Sequence, residues 1–437
     1  MEQTYCGLQA GFAKVNITPD YSVGMSGFGN VRERRSRAVA EPIYATCIAL
    51  READNTVLLF TLDYLGISRD MWHDIRKAVL DATGIENAFF AATHSHTAPA
   101  WDDDEAGLRF QKDLLAALAD AARQALADLA PAKAETVTTH VPNMAFVRHY
   151  LTADGTYAGS NFGSFENNPP VAHAAKADDS LVVVKFAREG KQNILLVNWA
   201  AHADRSSQIG YYNLAPSFPG PLRDRLEELT GDRVAYFTAA SGNVNSGTQI
   251  PGEMENYGWR EYGQALAQSA FEALPGLRPV EGSELRVTKK TTQVGVNHSW
   301  DHTLEQAKEV YDLWQAEGKA AGDALGKTYD FTSVYQASVI IARCTMGPDY
   351  PMEQGAFRIG NLGFIVGSYE MFTESGQDIR KRSPYETTFL VTGNHLYIPT
   401  EAAFDYRCYE ADTCFFAKGT AELLVDNFVQ MLEEIQS

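Results

Sequence analysis

A His-x-His motif directly after an apolar run is suited to metal binding or to acid–base chemistry. His94 and His96 follow the segment Asn87-Ala-Phe-Phe-Ala-Ala-Thr. In an extended chain, residues two positions apart project to the same side, so both imidazoles are expected to leave the end of a strand together. Two such histidines are equally compatible with a metal site and with histidines that only hydrogen-bond the backbone.

A second apolar run ends in the same way. His202 follows Asn193-Ile-Leu-Leu-Val-Asn-Trp-Ala-Ala. One histidine of this kind is usually a buried structural residue, but two strand ends of the same form favour a shared site. Neutral imidazole is a common zinc ligand, and catalytic zinc keeps one coordination position open for water. His94 and His202 are therefore predicted as a metal pair, with His96 as an equal third candidate.

Two C-terminal segments carry residues that could supply oxygen ligands. Glu370 follows the apolar run Ile359-Gly-Asn-Leu-Gly-Phe-Ile-Val-Gly-Ser-Tyr and is predicted to begin a helix. A carboxylate at that position is also explained by the helix dipole alone. Tyr397 lies in a predicted turn after a strand that ends at Val391, and its own pattern indicates only a buried aromatic residue.

The elements that position these residues alternate between apolar strands and amphipathic helices, which indicates an α/β or α+β fold. Several strands are continuous apolar runs, as expected when both faces of a sheet are covered. At 437 residues the chain could form one large domain or two medium ones. Strands are predicted at 43–51, 56–62, 88–92, 180–186, 193–199, 233–238, 356–366 and 387–391. Helices are predicted at 70–83, 108–129, 221–229, 262–274, 303–318 and 420–435.

The segment 141–170 has no periodicity and is rich in Asn, Gly, Phe and Pro. It is predicted as a long loop, and unstructured loops of this length in compact domains tend to be functional. The loop contains Arg148 and His149.

The composition of the chain limits the classes of molecule that it is expected to bind. The net charge of −19 over 437 residues argues against nucleic acid, which requires a basic surface. The short run Arg32, Arg34, Arg35 and Arg37 is predicted to be solvated or to face a substrate. No stretch approaches the ~20 apolar residues that span a bilayer. A small-molecule substrate is therefore expected, and the oligomeric state stays open.

The cellular location is predicted from two weaker signals. The first residues lack the charged and apolar regions of a signal peptide. The five cysteines (Cys6, Cys47, Cys344, Cys408 and Cys414) have no C-x-x-C spacing and are predicted to be reduced and mostly buried. Both signals favour the cytoplasm, although a processed secreted protein would look similar.

The chain resembles the catalytic domain of the neutral/alkaline, non-lysosomal ceramidases across nearly its whole length. Several segments carry this resemblance in the same order. They are Ala10-Gly-Phe-Ala-Lys-Val-Asn-Ile-Thr-Pro19 with Gly24-Met-Ser-Gly-Phe-Gly, Thr93-His94-Ser-His96-Thr, Asn198-Trp-Ala-Ala-His202, and Glu370 together with Tyr397-Ile-Pro-Thr.

The resemblance implies one large α/β domain, residues 1–437, with central mixed β-sheets flanked by α-helices and a single zinc ion at strand ends. The zinc ion would have four ligands. They would be His94, His202, Glu370 and Tyr397. It also implies that His96 lies beside the metal or contacts substrate, and that Arg148 contacts substrate or the developing oxyanion. His149 is predicted to have no role. The Tyr397 hydroxyl is a further candidate donor to the oxyanion.

The implied function is amide hydrolysis by zinc-activated water. The resemblance is limited to the catalytic domain, and we expect no counterpart of the C-terminal β-sandwich domain of ceramidases. Asn243 also stands where that family usually has Asp. An ester, lactone or glycosidic substrate therefore stays open, and so does a non-catalytic binding protein of the same fold.

Overall fold

The apolar runs form two mixed sheets. The computed structural model describes residues 7–28, 34–159, 162–254, 257–367, 369–393 and 396–436. Within these ranges the larger sheet has nine strands, and Arg278–Pro279 pairs at its side with Ala130–His140. The other eight, in spatial order, are Arg233–Thr238, Ile194–Trp199, Ser180–Arg188, Ala130–His140, Gln9–Asn16, Tyr44–Glu52, Asn55–Leu62 and Ala88–Ala92.

The smaller sheet packs against one face of the larger one. Its strands, in spatial order, are Leu285–Gly295, Asp349–Ile359, Leu362–Gly367 and Thr387–Val391. Phe89 of the larger sheet stacks on Phe357 with ring centroids 5.9 Å apart, and Phe357 stacks on Phe364 at 4.3 Å. Aromatic pairs at these distances add stability beyond the burial of their area, so the two sheets share one hydrophobic core.

Helices cover the outer faces, and most ends lie where the sequence predicts them. Helix Arg69–Thr83, for example, ends at Gly84, which has the left-handed conformation that favours glycine. None of the described helices is long and apolar enough to cross a membrane. The other long helices are Glu105–Ala127, Pro219–Thr230, Trp259–Ala273, Leu304–Glu317, Lys319–Thr328, Val334–Thr345, Thr373–Arg382 and Thr420–Glu434. The short ones are Ser206–Ile209, Leu274–Gly276, Glu401–Asp405 and Tyr409–Asp412.

Three predictions about strands and loops are wrong. The predicted strand 356–366 is a hairpin of two strands, because Gly360 turns the chain with a φ of 51°. Two strands, Ala130–His140 and Leu285–Gly295, are absent from the prediction, because their exposed polar residues mask the apolar pattern.

The third wrong prediction is the long loop at 141–170. It contains Phe146–Val147, which pairs with Val244–Asn245, and two strands of a three-stranded sheet. These two are His149–Thr152 and Tyr157–Gly159, and Pro170–His173 completes the sheet. Tertiary pairing therefore orders a segment that has no periodicity of its own.

The described cysteines are free, as predicted. Cys47, Cys408 and Cys414 are buried and Cys344 is exposed, whereas Cys6 lies outside the described residues.

Strand Thr387–Val391 ends between the two outermost strands of the larger sheet. The Thr392 N–H donates to the Thr238 carbonyl at 3.0 Å, and the Ala92 N–H donates to the Gly393 carbonyl at 3.4 Å. Gly393 has a φ of 97°, and a Cβ atom there would lie 2.7 Å from the Ala92 carbonyl oxygen. Thr392 and Gly393 therefore join the end of Ala88–Ala92, which precedes His94, to the end of Arg233–Thr238. Arg233–Thr238 in turn pairs in parallel with Ile194–Trp199, which precedes His202.

Candidate metal centre

His94 lies two residues beyond strand Ala88–Ala92 and is buried. Its φ of 63° shows that the His-x-His motif is not extended, so the predicted reason for the proximity of the two histidines is wrong. The two rings still meet, because Nε2 of His94 lies 3.4 Å from Nε2 of His96. Nδ1 of His94 is 2.8 Å from the Leu65 carbonyl oxygen, which can only accept. The neutral ring therefore carries its proton on Nδ1 and presents a lone pair at Nε2.

His202 has the same tautomer for the same reason. Its Nδ1 lies 2.8 Å from the carbonyl oxygen of Ser241 and 3.1 Å from that of Val244. Burial holds the pKa of His202 well below its usual range, and the positive charge of Arg148 acts in the same direction. Its Nε2 is buried and has no hydrogen-bond partner in the described part of the chain. His202 therefore presents a second, unused lone pair.

Glu370 lies in the short strand Glu370–Met371, which pairs in parallel with Tyr397–Ile398. The prediction that Glu370 begins a helix is wrong, since that helix begins at Thr373. The Glu370 N–H donates to the Leu396 carbonyl at 2.8 Å. This pairing places Glu370 and Tyr397 side by side.

The Oε2 atom of Glu370 lies 3.3 Å from Nε2 of both His94 and His202. Within the described ranges, this oxygen has no hydrogen-bond partner. Burial raises the pKa of Glu370 well above its usual range, against the lowering effect of Arg148. Because both imidazoles carry their protons on the far side, three acceptor atoms converge, and a bound cation is the natural partner for such a group.

His96 is half-buried beside this group. Its ring centroid lies 5.0 Å from that of His94 and 5.9 Å from that of His202. The three histidines each offer a nitrogen within 4.8 Å of one another. The geometry therefore permits His96 either as a ligand or as a group beside the metal, and its assigned role stays a prediction.

Arg148 reaches the group from the side of Tyr397. Its Nη2 donates to the Tyr397 hydroxyl and to the Gly242 carbonyl, both at 3.1 Å. Burial raises the pKa of Tyr397 well above its usual range, as does the negative charge of Glu370. The structure thus brings the six predicted site residues together from five separate segments of the chain. They are His94, His96, Arg148, His202, Glu370 and Tyr397.

Arg34 does not fit its prediction. It is buried rather than solvated, and its guanidinium donates to the carbonyl oxygens of Ser26 at 2.6 Å and of His96 at 2.9 Å. The guanidinium also lies over the rings of Phe28 and Tyr211. Arg34 therefore supports the backbone at His96. Arg35 pairs with Asp104, Arg37 lies over the Tyr212 ring, and Arg32 lies outside the described residues.

Two residues near the centre, Tyr409 and Glu410, have no signal in the sequence. Tyr409 is half-buried with its ring 6.0 Å from that of Tyr397, and Glu410 contacts Arg148. His149, predicted to have no role, is fully buried and lies 2.7 Å from Glu410. Tyr409 and Glu410 lie in the short helix Tyr409–Asp412, whose sequence has no periodic signal.

Asn243 has a structural function. Its side-chain oxygen accepts from the Thr373 N–H at 2.9 Å, and its amide donates to Glu374 at 2.9 Å. Asn243 therefore fixes the start of helix Thr373–Arg382, next to Glu370.

Comparison with known proteins supports the fold. No protein-family profile matches the sequence, and a search of curated proteins finds no match. A solved structure of neutral ceramidase from Pseudomonas aeruginosa superposes with a TM-score of 0.71 at 14% identity, covering 99% of this chain and 75% of that chain. A ceramidase complexed with C2 superposes with a TM-score of 0.70 at 15% identity, covering 99% and 76%. The chain therefore has the mixed α/β fold of neutral ceramidase over almost its whole length, as the sequence resemblance predicts.

Proposed function

We propose that residues 1–437 form a zinc-dependent hydrolase domain that cleaves an N-acyl amide bond. The observation that carries the proposal is the convergence of His94 Nε2 and His202 Nε2 on Glu370 Oε2 in a buried site. Ligand atoms about 2.0–2.1 Å from a tetrahedral zinc ion lie about 3.3–3.4 Å apart. The measured 3.3 Å separations agree with that spacing. Tyr397 would be the fourth ligand.

Zinc, when bound, supplies a hydroxide at neutral pH by lowering the pKa of its water molecule from 15.7 toward about 7. Arg148 holds a positive charge beside the Tyr397 hydroxyl, where negative charge would develop on the substrate carbonyl oxygen. Loss of one such donor typically lowers kcat by ~10²–10³. His96 is half-buried next to the same group and is placed to pass a proton to the departing amine.

The substrate class rests on the likeness to proteins named as ceramidases. Those proteins support an amide bond as the target, and the identity of the acyl and amine parts is a separate question. Tyr150, in the segment next to Arg148, is 1% exposed and accepts a hydrogen bond from the Gln249 N–H. This aromatic residue therefore packs the segment and does not line a lipid channel.

The test combines metal analysis with a substrate panel. Protein purified without chelators is expected to contain one zinc ion per chain by mass spectrometry. The panel contains N-acyl sphingosines of short and long chain, other N-acyl amines, esters, lactones and glycosides. Release of a carboxylic acid from an amide, lost in His94→Ala, is the expected result. Absence of any metal would contradict the proposal, and turnover of esters, lactones or glycosides alone would reassign the bond that is cleaved.

A further inference from the structure

A buried carboxylate pairs with the guanidinium of Arg148. Glu410 has a side chain that is 1% exposed, and its Oε1 accepts a hydrogen bond from Nε of Arg148 at 2.6 Å and lies 2.5 Å from Nη2 in an ion pair. Two contacts from one edge of a planar guanidinium fix the orientation of its plane. The remaining contacts of Nη2 are the Gly242 carbonyl and the Tyr397 hydroxyl. The orientation of Arg148 toward Tyr397 is therefore set by Glu410.

Glu410 is itself held in place from behind. His149 Nε2 lies 2.7 Å from Oε2 of Glu410, and His149 Nδ1 lies 2.8 Å from the Tyr406 hydroxyl. A consistent set of protons follows if Tyr406 donates to Nδ1 and Nε2–H donates to the carboxylate. The chain of contacts Tyr406, His149, Glu410, Arg148 and Tyr397 is then complete from the Tyr406 hydroxyl to the candidate metal centre.

A second metal ion is the competing explanation for these residues. His149, Cys408 and Glu410 offer ligand atoms within 4.8 Å of one another. Both nitrogens of His149 and both oxygens of Glu410 already have hydrogen-bond partners, in contrast to Nε2 of His202 and Oε2 of Glu370. The geometry is that of a hydrogen-bonded network.

The network also connects two distant parts of the chain. Arg148 and His149 belong to the N-terminal half, whereas Tyr406 and Glu410 belong to the segment after the Tyr397 strand. Tyr157 stacks on Tyr406 with ring centroids 4.6 Å apart. Phe162 and Phe372 pack around the His149 ring, at 5.4 and 5.7 Å. Apolar packing thus holds the network in a fixed geometry.

We propose that Glu410 is a positioning residue that acts through Arg148, and that His149 fixes Glu410. This inference rests on the hydrolysis proposed above. Glu410 does not touch the reacting atoms, and its effect is to direct Arg148 Nη2 toward the Tyr397 hydroxyl. A displacement of about 1 Å in a group of this kind can lower the rate ~10²-fold.

The test is a double-mutant cycle with Glu410→Gln, Arg148→Ala and the double variant. Glu410→Gln is expected to keep its metal and to lower kcat roughly 10²-fold with little change in KM. In the Arg148→Ala background, Glu410→Gln is expected to cause no further loss of kcat. His149→Gln is expected to change kcat in the same direction as Glu410→Gln, by a smaller factor. Asp128→Asn, which removes the carboxylate paired with the buried Arg188 away from the centre, is the matched control for loss of an ion pair.

Unfolding of the metal-free proteins in urea provides a readout that does not need turnover. Arg148→Ala leaves the Glu410 carboxylate buried without its cation, so the double variant is expected to unfold at a higher urea concentration than Arg148→Ala alone. Two results would overturn the positioning role. One is a kcat for Glu410→Gln within twofold of wild type, and the other is the same fold-loss of kcat from Glu410→Gln in wild type and in Arg148→Ala. If the wild-type protein hydrolyses no substrate, the proposed function fails. The coupling of Glu410 to Arg148 is tested separately, because it is rejected if the midpoint shifts of the two single variants in urea add up to that of the double variant.

Discussion

The Oε2 atom of Glu370 lies 3.3 Å from Nε2 of His202, and neither atom has a hydrogen-bond partner among the residues that the structure describes. Two buried acceptors in contact are unfavourable unless a cation lies between them. Two different interactions maintain this contact. Glu370 is held by the strand pairing of its backbone with Tyr397, and the imidazole of His202 is held by hydrogen bonds to two backbone carbonyl oxygens.

His94→Ala is expected to remove the metal. The side chain supplies a lone pair that is oriented by the Leu65 carbonyl toward Glu370. Metal content per chain after dialysis is the measurement. His140→Ala is the control, because the His140 side chain is 69% exposed and pairs with Asp179. Normal metal content in His94→Ala would show that the centre is assigned to the wrong residues.

Glu370→Gln is expected to change metal affinity and metal-free stability in opposite directions. Metal affinity should fall by more than about 10²-fold, since mutation of a residue that only hydrogen-bonds a metal ligand typically lowers metal affinity 10–100-fold. The metal-free variant should be at least as stable as wild type at pH 7. The raised pKa of Glu370 means that the folded carboxylate becomes increasingly unfavourable as pH rises above about 4.3.

Calorimetric titration with zinc and urea unfolding in chelator measure these two effects of Glu370→Gln. A metal-free variant that is several kcal/mol less stable than wild type would show that the carboxylate has a structural partner.

Gly393→Ala is expected to weaken metal binding from outside the centre. A Cβ atom would lie 2.7 Å from the Ala92 carbonyl oxygen and 3.2 Å from Cβ of Thr238, so the end of the strand before His94 would have to move away from Arg233–Thr238. Arg233–Thr238 pairs with the strand before His202, so the two histidines would move relative to each other. Gly84→Ala is the matched control, because Gly84 also has a positive φ but nothing lies within 4 Å of the added atom. Gly84→Ala should cost only the backbone strain of about 1–2 kcal/mol. Equal metal affinity in the two variants would contradict this explanation.

The contribution of Glu410 to stability is expected to depend on pH. Burial acts to raise the pKa of this carboxyl, but Arg148 and His149 outweigh that effect and hold it well below its usual range. A carboxyl with a lowered folded pKa stabilises the protein above its unfolded pKa of about 4.3, and that stabilisation is lost as pH falls toward the folded pKa. Loss of one partner of a buried ion pair typically costs about 3–5 kcal/mol.

Urea unfolding of metal-free wild type and Glu410→Gln between pH 3 and 7 tests this dependence. The difference in unfolding free energy between wild type and Glu410→Gln should have its largest value above pH about 5 and should decrease below pH about 4. A difference that stays constant over the whole range would show that the charge of Glu410 is not involved.

The sequence by itself determined the histidines and most of the elements that carry them. An apolar run that ends in a histidine is a local pattern, so the strands before His94 and His202 could be located without tertiary information. Helix ends such as that at Gly84 are also local, because a left-handed residue terminates the helix there. The resemblance to ceramidases added Glu370, Tyr397 and Arg148 as candidate site residues.

Only the tertiary structure decided how these residues meet. The parallel pairing of Glu370 with Tyr397 depends on a two-residue strand that is too short to have a pattern. The contact between Arg148 and Glu410 joins residues 262 positions apart, and nothing in either segment predicts the other. The tautomers of His94 and His202 depend on which carbonyl oxygens the folded backbone presents. Local sequence therefore determines which groups are available, whereas their lone pairs and charges are oriented by contacts that exist only in the folded chain.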